Sequence, residues 1–305
     1  MQDKKPLLGG QAVIEGVMIK SGRNVAVAVR KENGSIVTKT QKLKEARFKF
    51  LKWPFVRGTV NLVEMLVIGI RTLVWSANQA AEEEEEFTTW DLIWLLGLSF
   101  GFAIVFFIAL PYVLTDFFGV RESSNPVMFN LVDGLLKILI FIIYVVTISF
   151  MKDVRRLFEY HGAEHKAVLC YESGKEVTIE NCKPLITLHP RCGTAFVMIV
   201  FAVSILVFSL IPVVALHYFP GFAAVNVWMQ KLILFPIRIA CIPIIAGIAY
   251  ELLKIAGKHE RNILARLLIL PGLLLQRITT KEPDEKQLEV AIKSVNLVLS
   301  MQEKS

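Results

Sequence analysis

The stretch that decides the fold reads Ile148-Ser-Phe-Met-Lys-Asp-Val-Arg-Arg-Leu-Phe-Glu-Tyr-His-Gly-Ala-Glu-His-Lys166, where an apolar segment passes into a polar one. The preceding apolar residues are numerous enough to cross a hydrocarbon layer about 30 Å thick. No proline or glycine separates them from His161, which predicts one unbroken helix that ends near Gly174. On that helix His161 and His165 share a face, with Glu164 beside them.

Two imidazoles one turn apart can bind one divalent metal, and a neighbouring carboxylate can act on a water molecule. This is the H-x-x-E-H arrangement of inverted zinc peptidases. The pattern predicts that His161 and His165 are metal ligands, that Glu164 is catalytic, and that zinc or another divalent transition metal is the cofactor. Glu172 lies further along the same helix face and is an additional candidate.

Further candidate ligands come from the segment Leu188-His-Pro-Arg-Cys-Gly-Thr194, which precedes another apolar run and so returns to the same membrane face. His189 and Cys192 are both predicted ligands, since they lie three residues apart on a turn shaped by proline and glycine. In the alternative interpretation the histidines are packing residues and the cysteines are small buried apolar side chains. Cys170 and Cys182 have no tight ligand spacing and are interpreted as structural thiols.

The composition indicates a membrane protein, because 54% of the 305 residues are hydrophobic. The net charge of +7 would also suit a nucleic-acid-binding protein. However, the basic residues flank the apolar segments, which favours the lipid bilayer as partner and argues against nucleic acid. We therefore expect a mainly α-helical membrane protein with four transmembrane helices, interfacial helices and a small N-terminal β-rich unit in the cytoplasm.

The apolar pattern divides the chain into four parts. They are a β-rich unit at 1–50 with a hairpin turn at Glu32-Asn-Gly34, an interfacial helix and acidic connector at 51–87, a four-helix membrane domain at 88–262 that includes the His/Cys loop 151–193, and an interfacial segment with a C-terminal amphipathic helix at 263–305. Pro271-Gly272 is expected to interrupt the last interfacial segment.

The four predicted spans are 90–114, 127–150, 194–219 and 228–250. Lysine and arginine are concentrated in the N-terminal residues, in the loop 151–193 and in the C-terminal tail, so both termini are predicted to lie in the cytoplasm, at the inner membrane. Asp133 is expected to neutralise Lys137, Arg238 or both inside the helix bundle. Snorkelling of the two cations to an interface is the alternative.

Four segments resemble the YqhQ-like family of bacterial multi-pass membrane proteins, often described as predicted metal-dependent enzymes of unknown function. The segments are Gly9-Gly-Gln-Ala-Val-Ile-Glu-Gly-Val-Met18, Tyr160-His-Gly-Ala-Glu-His-Lys166, His189-Pro-Arg-Cys-Gly-Thr194 and Ala249-Tyr-Glu251. Ile19-Lys20 and Ala195 depart from the family pattern of Met-Arg and Ser. The resemblance spans nearly the whole chain and implies a membrane location and a metal. It also brings forward Glu15 and Glu251 as further ligands or as partners of the ligand imidazoles.

Two functions compete on this pattern. The first is a zinc-dependent hydrolase at the membrane surface that acts on a membrane protein or a lipid-linked substrate, with Glu164 as general base. The second is a non-enzymatic scaffold or assembly factor whose metal stabilises the cytoplasmic loop. A thiolate ligand such as Cys192 favours the second function, because it donates charge and weakens zinc as a Lewis acid.

Overall fold

The computed structural model describes residues 6–44, 48–80, 88–122, 124–259 and 261–303. The predicted acidic connector at 82–86 lies outside these residues. The strands are β1 (Leu8–Val13), β2 (Gly16–Ser21), β3 (Asn24–Arg30) and β4 (Ile36–Lys42). The helices are α1 (Val56–Ala80), α2 (Thr89–Ile104), α3 (Leu110–Phe117), α4 (Pro126–Ile148), α5 (Lys152–Glu172), α6 (Ile179–Cys182), α7 (Gly193–Tyr218), α8 (Val227–Ala256), α9 (Ile263–Thr279) and α10 (Glu285–Glu303).

The four strands form one antiparallel sheet in chain order, which confirms the predicted N-terminal β-rich segment. The predicted hairpin joins β3 to β4, and Gly34 adopts a φ of 82° in its turn. That left-handed conformation is accessible to glycine without steric cost. The β1–β2 turn contains Glu15, also at positive φ, and so places this carboxylate at one end of the sheet.

Helices cover both faces of the sheet. Since strand side chains alternate, one face carries Val17, Ile19, Ala26 and Ala28, which pack in a common core with α5 and α10. The other face carries Val13, Met18, Val25, Val27 and Val29, which pack against Ile68 of α1. Each of the larger side chains contributes about 1.5–3 kcal/mol on burial.

Hydrogen bonds and ion pairs fix α1 and α10 on the sheet. On the α1 side, Glu64 binds Lys20 at 2.6 Å and Arg23 at 2.9 Å. On the α10 side, the Ser294 hydroxyl donates to the Val17 carbonyl at 2.7 Å. These contacts join β-strands near the N-terminus to the last helix of the chain.

Five helical segments are long and apolar enough to cross a membrane: Val56–Ala80, Ile93–Phe117, Pro126–Ile148, Gly193–Tyr218 and Leu232–Ala256. The last four correspond to the four predicted spans. The predicted number is not matched, because α1, interpreted from its Glu64 and Arg71 as interfacial, also meets the criteria of length and composition. A one-turn π-helical stretch, Val105–Ala109, joins α2 to α3 within the second of these segments.

The prediction of one unbroken helix from the apolar run into His161 is wrong. Helix α4 ends at Ile148, a turn follows, and α5 begins at Lys152 after the extended backbone of Met151. The Ser149 hydroxyl donates to the Val146 carbonyl at 2.6 Å, and such local bonds compete with continuation of a helix. The turn therefore allows α5 to leave the direction of α4.

The predicted interruption at Pro271-Gly272 is also wrong, since α9 continues through both residues. A Cβ atom on Gly272 would lie 2.3 Å from Ala195 Cα, so the backbones of α9 and α7 are in close contact there. This packing offsets the roughly 3 kcal/mol that an interior proline costs a helix.

The three charged residues that the sequence singled out within the spans, Asp133, Lys137 and Arg238, all form ion pairs. Asp133 binds Lys137 on the same helix at 2.5 Å, as expected. Arg238 instead binds Glu122 at 2.6 Å, so its charge is neutralised from the loop before α4 and not by Asp133. The sequence did not single out Glu122, because only the fold brings this loop to α8.

We predict that Gly162→Ala destabilises the protein by about 1–3 kcal/mol. A Cβ atom at this position would clash with the Lys281 carbonyl oxygen, 1.9 Å away. The backbone of Lys281 is held against α5 by a hydrogen bond from its N–H to the Phe158 carbonyl. The control is Gly101→Ala, another helical glycine whose Cβ meets nothing within 4 Å and which should be neutral or slightly stabilising. Thermal unfolding of the detergent-solubilised protein measures both; equal melting temperatures would contradict the assigned contact.

Candidate metal centre

The candidate site lies where α5, the loop before α7 and the C-terminal end of α9 meet. His161, Glu164 and His165 come from α5, and Cys192 is the residue immediately before α7. The loop residue Thr187 and the α9 residue Thr279 contribute backbone carbonyls. The site is therefore assembled from segments more than a hundred residues apart in sequence.

Three of the predicted ligands come together. One ligand atom from each of His161, His165 and Cys192 lies within 4.8 Å of the other two. The His161 Nε2 is 3.2 Å from the Cys192 sulfur, and the two imidazole ring centroids are 4.5 Å apart. The grouping follows from the one-turn spacing of the histidines together with the return of the chain to the same end of the bundle.

Backbone carbonyls orient both imidazoles. The Nδ1 of His161 lies 2.9 Å from the Thr279 carbonyl oxygen, and the Nδ1 of His165 lies 2.5 Å from that of Thr187. A carbonyl oxygen only accepts, so each Nδ1 carries the proton and each Nε2 keeps its lone pair. Metal-binding histidines commonly have this arrangement, in which the second nitrogen donates to a carbonyl and fixes the tautomer.

Glu164 is buried beside this cluster, with 6% of its surface exposed. Its Oε2 has no hydrogen-bond partner within the described part of the chain. Burial raises the pKa of the Glu164 carboxyl, whereas positive charge on His161 or His189 acts in the opposite direction. Burial also lowers the pKa of His165, and its hydrogen bond with Cys192 opposes that effect. A buried carboxylate oxygen without a partner is costly inside a protein.

Gly10 of β1 makes room for the Glu164 side chain. A Cβ atom on Gly10 would lie 2.7 Å from Glu164 Oε1, so only glycine lets the strand approach this closely. Spacing along the sequence did not connect the glycines of this segment with Glu164. The pair Gly9-Gly10 was the available signal for a close approach of the strand, but only the fold shows that Glu164 is the residue approached.

His189 lies next to the cluster but outside the group of three. Its ring centroid is 5.6 Å from that of His165, while its Nε2 is 3.2 Å from Glu172 Oε2. Arg191 binds the other oxygen of Glu172. The side chain of the fully buried Gln276 accepts from His189 N at 2.8 Å and donates to His189 O at 3.0 Å. Glu172 and Gln276 thus hold the loop, and Gln276 is a supporting residue that the sequence did not reveal.

Glu15 and Glu251 are engaged in other contacts. Glu15 binds Arg156 and accepts from the Tyr160 hydroxyl at 3.1 Å, which attaches the β1–β2 turn to α5. Glu251 binds Arg57 through two hydrogen bonds of 2.7 and 2.6 Å and so joins α8 to α1. Neither belongs to the group of three ligand atoms.

Cys170 and Cys182 are fully buried in the core shared by the sheet, α5 and α10. Both are free thiols, and burial is the main cause that raises the pKa of Cys182. An apolar environment that disfavours the thiolate suits a packing role better than metal binding.

The geometry predicts about one bound zinc ion per chain after loading of the purified protein. His161→Ala and Cys192→Ser should each lose most of this metal, because each removes one of only three grouped ligands. The matched controls are His259→Ala and Cys241→Ser, since the His259 imidazole bonds to the Ile255 carbonyl of α8 and Cys241 lies within α8. Elemental analysis of the gel-filtered protein gives the stoichiometry. Full retention of zinc in both site variants, or no uptake by the wild type, would refute the metal centre.

The chain aligns over nearly its whole length with a curated relative. It is 32% identical over 313 residues to "Uncharacterized protein YqhQ" of Bacillus subtilis (strain 168), and the alignment covers 97% of this chain and 93% of that protein. No solved structure matches the chain. Residues 53–301 match a family profile that extends from just before α1 into α10 and includes every residue of the candidate centre. The chain therefore belongs to the family described as "Protein of unknown function (DUF1385)".

Proposed function

We propose that this protein is a zinc-type, metal-dependent hydrolase of the cytoplasmic membrane, with its site on the cytoplasmic side. The observation that carries the proposal is the pairing of two carbonyl-oriented imidazoles with Cys192, beside a buried carboxylate that has a free oxygen. Protein sites that bind catalytic zinc commonly supply three ligands and leave a fourth position for water or substrate.

The residues present fit such a metal. Imidazole nitrogen and thiolate sulfur are both preferred zinc ligands, and the fixed tautomers leave the required lone pairs available. His161, His165 and Cys192 would hold the ion, which when bound acts as a Lewis acid on a carbonyl and on water. The unpartnered Glu164 oxygen would remain free to bind a water molecule.

Glu164 would act as the general base. Burial raises the pKa of its carboxyl, a shift common among carboxylates that serve as general bases. It would take a proton from the attacking water and return it to the leaving group. His189, bonded to Glu172, lies on the loop beside the cluster and would help to orient the substrate.

The shared core supports four membrane crossings. The sheet and α5 pack together, so an even number of spans must separate them in sequence. Three candidate spans lie between them: α1, the α2–α3 segment and α4. We infer that α1, whose one face packs on the sheet, is the helix that does not cross. Between α5 and α10 the same reasoning assigns α7 and α8 as spans and α9 as interfacial, with both termini in the cytoplasm.

This topology predicts the accessibility of introduced cysteines to a membrane-impermeant thiol reagent. Thr38→Cys on β4 and Ser300→Cys on α10 are exposed positions that should react only after the membrane is permeabilised. Gly221→Cys, between α7 and α8, should react in intact cells, and a Cβ atom there meets nothing within 4 Å. If α1 crossed the membrane, Thr38→Cys and Ser300→Cys would report opposite sides, which the proposed arrangement forbids.

Glu164→Gln should keep the bound metal and lower hydrolysis by about 10²–10⁴-fold, the usual contribution of a general base. The assay uses full-length protein in phospholipid vesicles with a panel of membrane-spanning peptides and lipid esters, and mass spectrometry detects the products. Glu172→Gln serves as the comparison, since it alters the neighbouring loop but leaves the proposed base intact. Equal turnover by Glu164→Gln and wild type would rule out the assigned role.

A structural metal is the second candidate, and the thiolate ligand favours it. Cys192 would donate charge to the ion, and the ion would join α5 to the loop before α7. In that case His161→Ala would lower the melting temperature, Glu164→Gln would be silent, and no substrate of the panel would be cleaved. The two candidates therefore differ in the response to Glu164→Gln.

A further inference from the structure

A polar pocket that shares no residue with the metal centre lies between the sheet and α1. It has a volume of about 180 Å³ and is lined by Lys39 and Gln41 of β4 and by Arg71, Thr72 and Trp75 of α1, with apolar side chains of β3 and α1 completing it. The Lys39 ammonium lies 5.5 Å from the centre of the Trp75 ring. Two cations and an aromatic ring thus border a space large enough for a small ligand group.

The two cations of this pocket have no carboxylate partner in the part of the chain that the structure describes. Elsewhere on the sheet, Lys20 and Arg23 are paired with Glu64 and Arg30 is paired with Glu289. Within the described ranges, neither Lys39 nor Arg71 forms an ion pair with a carboxylate. Like charges that face one space repel each other, so a site of this kind is stabilised when an anion occupies it.

Helix α1 carries the pocket at the edge of an exposed apolar surface. This surface consists of large side chains that no other part of the described chain covers: Leu62, Val63, Leu66, Val67 and Leu73. Arg71 lies one turn after the exposed Val67 and one turn after Ile68, which packs on the sheet. It therefore stands at the border between the two surfaces. In an interfacial helix this border is at the level of the lipid headgroups.

We propose that the Lys39–Arg71–Trp75 pocket binds the phosphate of an anionic phospholipid in the cytoplasmic leaflet. The inference rests on the topology proposed above, in which α1 lies in the membrane interface. Arginine offers paired N–H donors that match phosphate oxygens, and lysine adds a compact charge. Tryptophan favours the headgroup region, where its ring and its N–H are both accommodated. The bound lipid would fasten the sheet, and through β1 the wall around Glu164, to the bilayer.

The test measures lipid binding to full-length protein in non-ionic detergent by native mass spectrometry. The probes are short-chain phosphatidylglycerol, short-chain phosphatidylcholine and inorganic phosphate. Wild type should bind phosphatidylglycerol at least tenfold more tightly than phosphatidylcholine, and Lys39→Gln/Arg71→Gln should lose that preference. The matched control, Lys286→Gln/Lys293→Gln, removes two exposed charges of α10 and should retain it.

Three results would overturn the proposal. They are an unchanged lipid preference in Lys39→Gln/Arg71→Gln, equal binding of both lipids by wild type, and saturation by inorganic phosphate alone at the same concentration. The last result would indicate a site for free phosphate. Lys39→Glu, a single exposed substitution that should also abolish the preference, guards against misfolding of the double variant. Binding in detergent does not depend on the number of crossings, so this test and the cysteine-accessibility test fail independently.

Discussion

The core that the sheet shares with α5 and α10 is the constraint on which the rest of the structure depends. Its residues come from the first thirty, the middle and the last twenty residues of the chain. Apolar burial of this kind is favourable only if all three parts reach the same aqueous compartment. The core therefore connects the membrane topology with the candidate site, because α5 carries both the core residue Ala163 and the neighbouring Glu164.

The candidate site depends on backbone groups as much as on side chains. The carbonyls of Thr187 and Thr279 orient the two imidazoles, and the amide and carbonyl of His189 are both held by Gln276. Such contacts depend on the path of the backbone, since any residue type offers the same carbonyl. These backbone contacts hold the surroundings of Glu164 rigid, so its unpartnered carboxylate oxygen stays buried. A bound ligand or ion would offset the cost of that burial.

The sequence predicted the parts of this protein that local spacing determines. The one-turn interval between His161 and His165 and the Glu32–Gly34 turn both appear as expected, because each depends on a few neighbouring residues. The grouping of Cys192 with the histidines also followed, since the loop must return to the same side. The break after Ile148 was missed because no proline or glycine marks it. The local signal is a hydrogen bond from the Ser149 hydroxyl to the Val146 carbonyl. The contacts of Glu15, Glu122 and Glu251 were missed because their partners are distant in sequence.

The dependence of the sheet on α10 has a consequence for biosynthesis. Ribosomes release the chain from its N-terminus, so the strands emerge well before α10, which covers one of their faces. Until α10 has been made, that face of the sheet exposes valine, isoleucine and alanine to solvent. The nascent chain must therefore be shielded from aggregation until α10 has docked on the sheet.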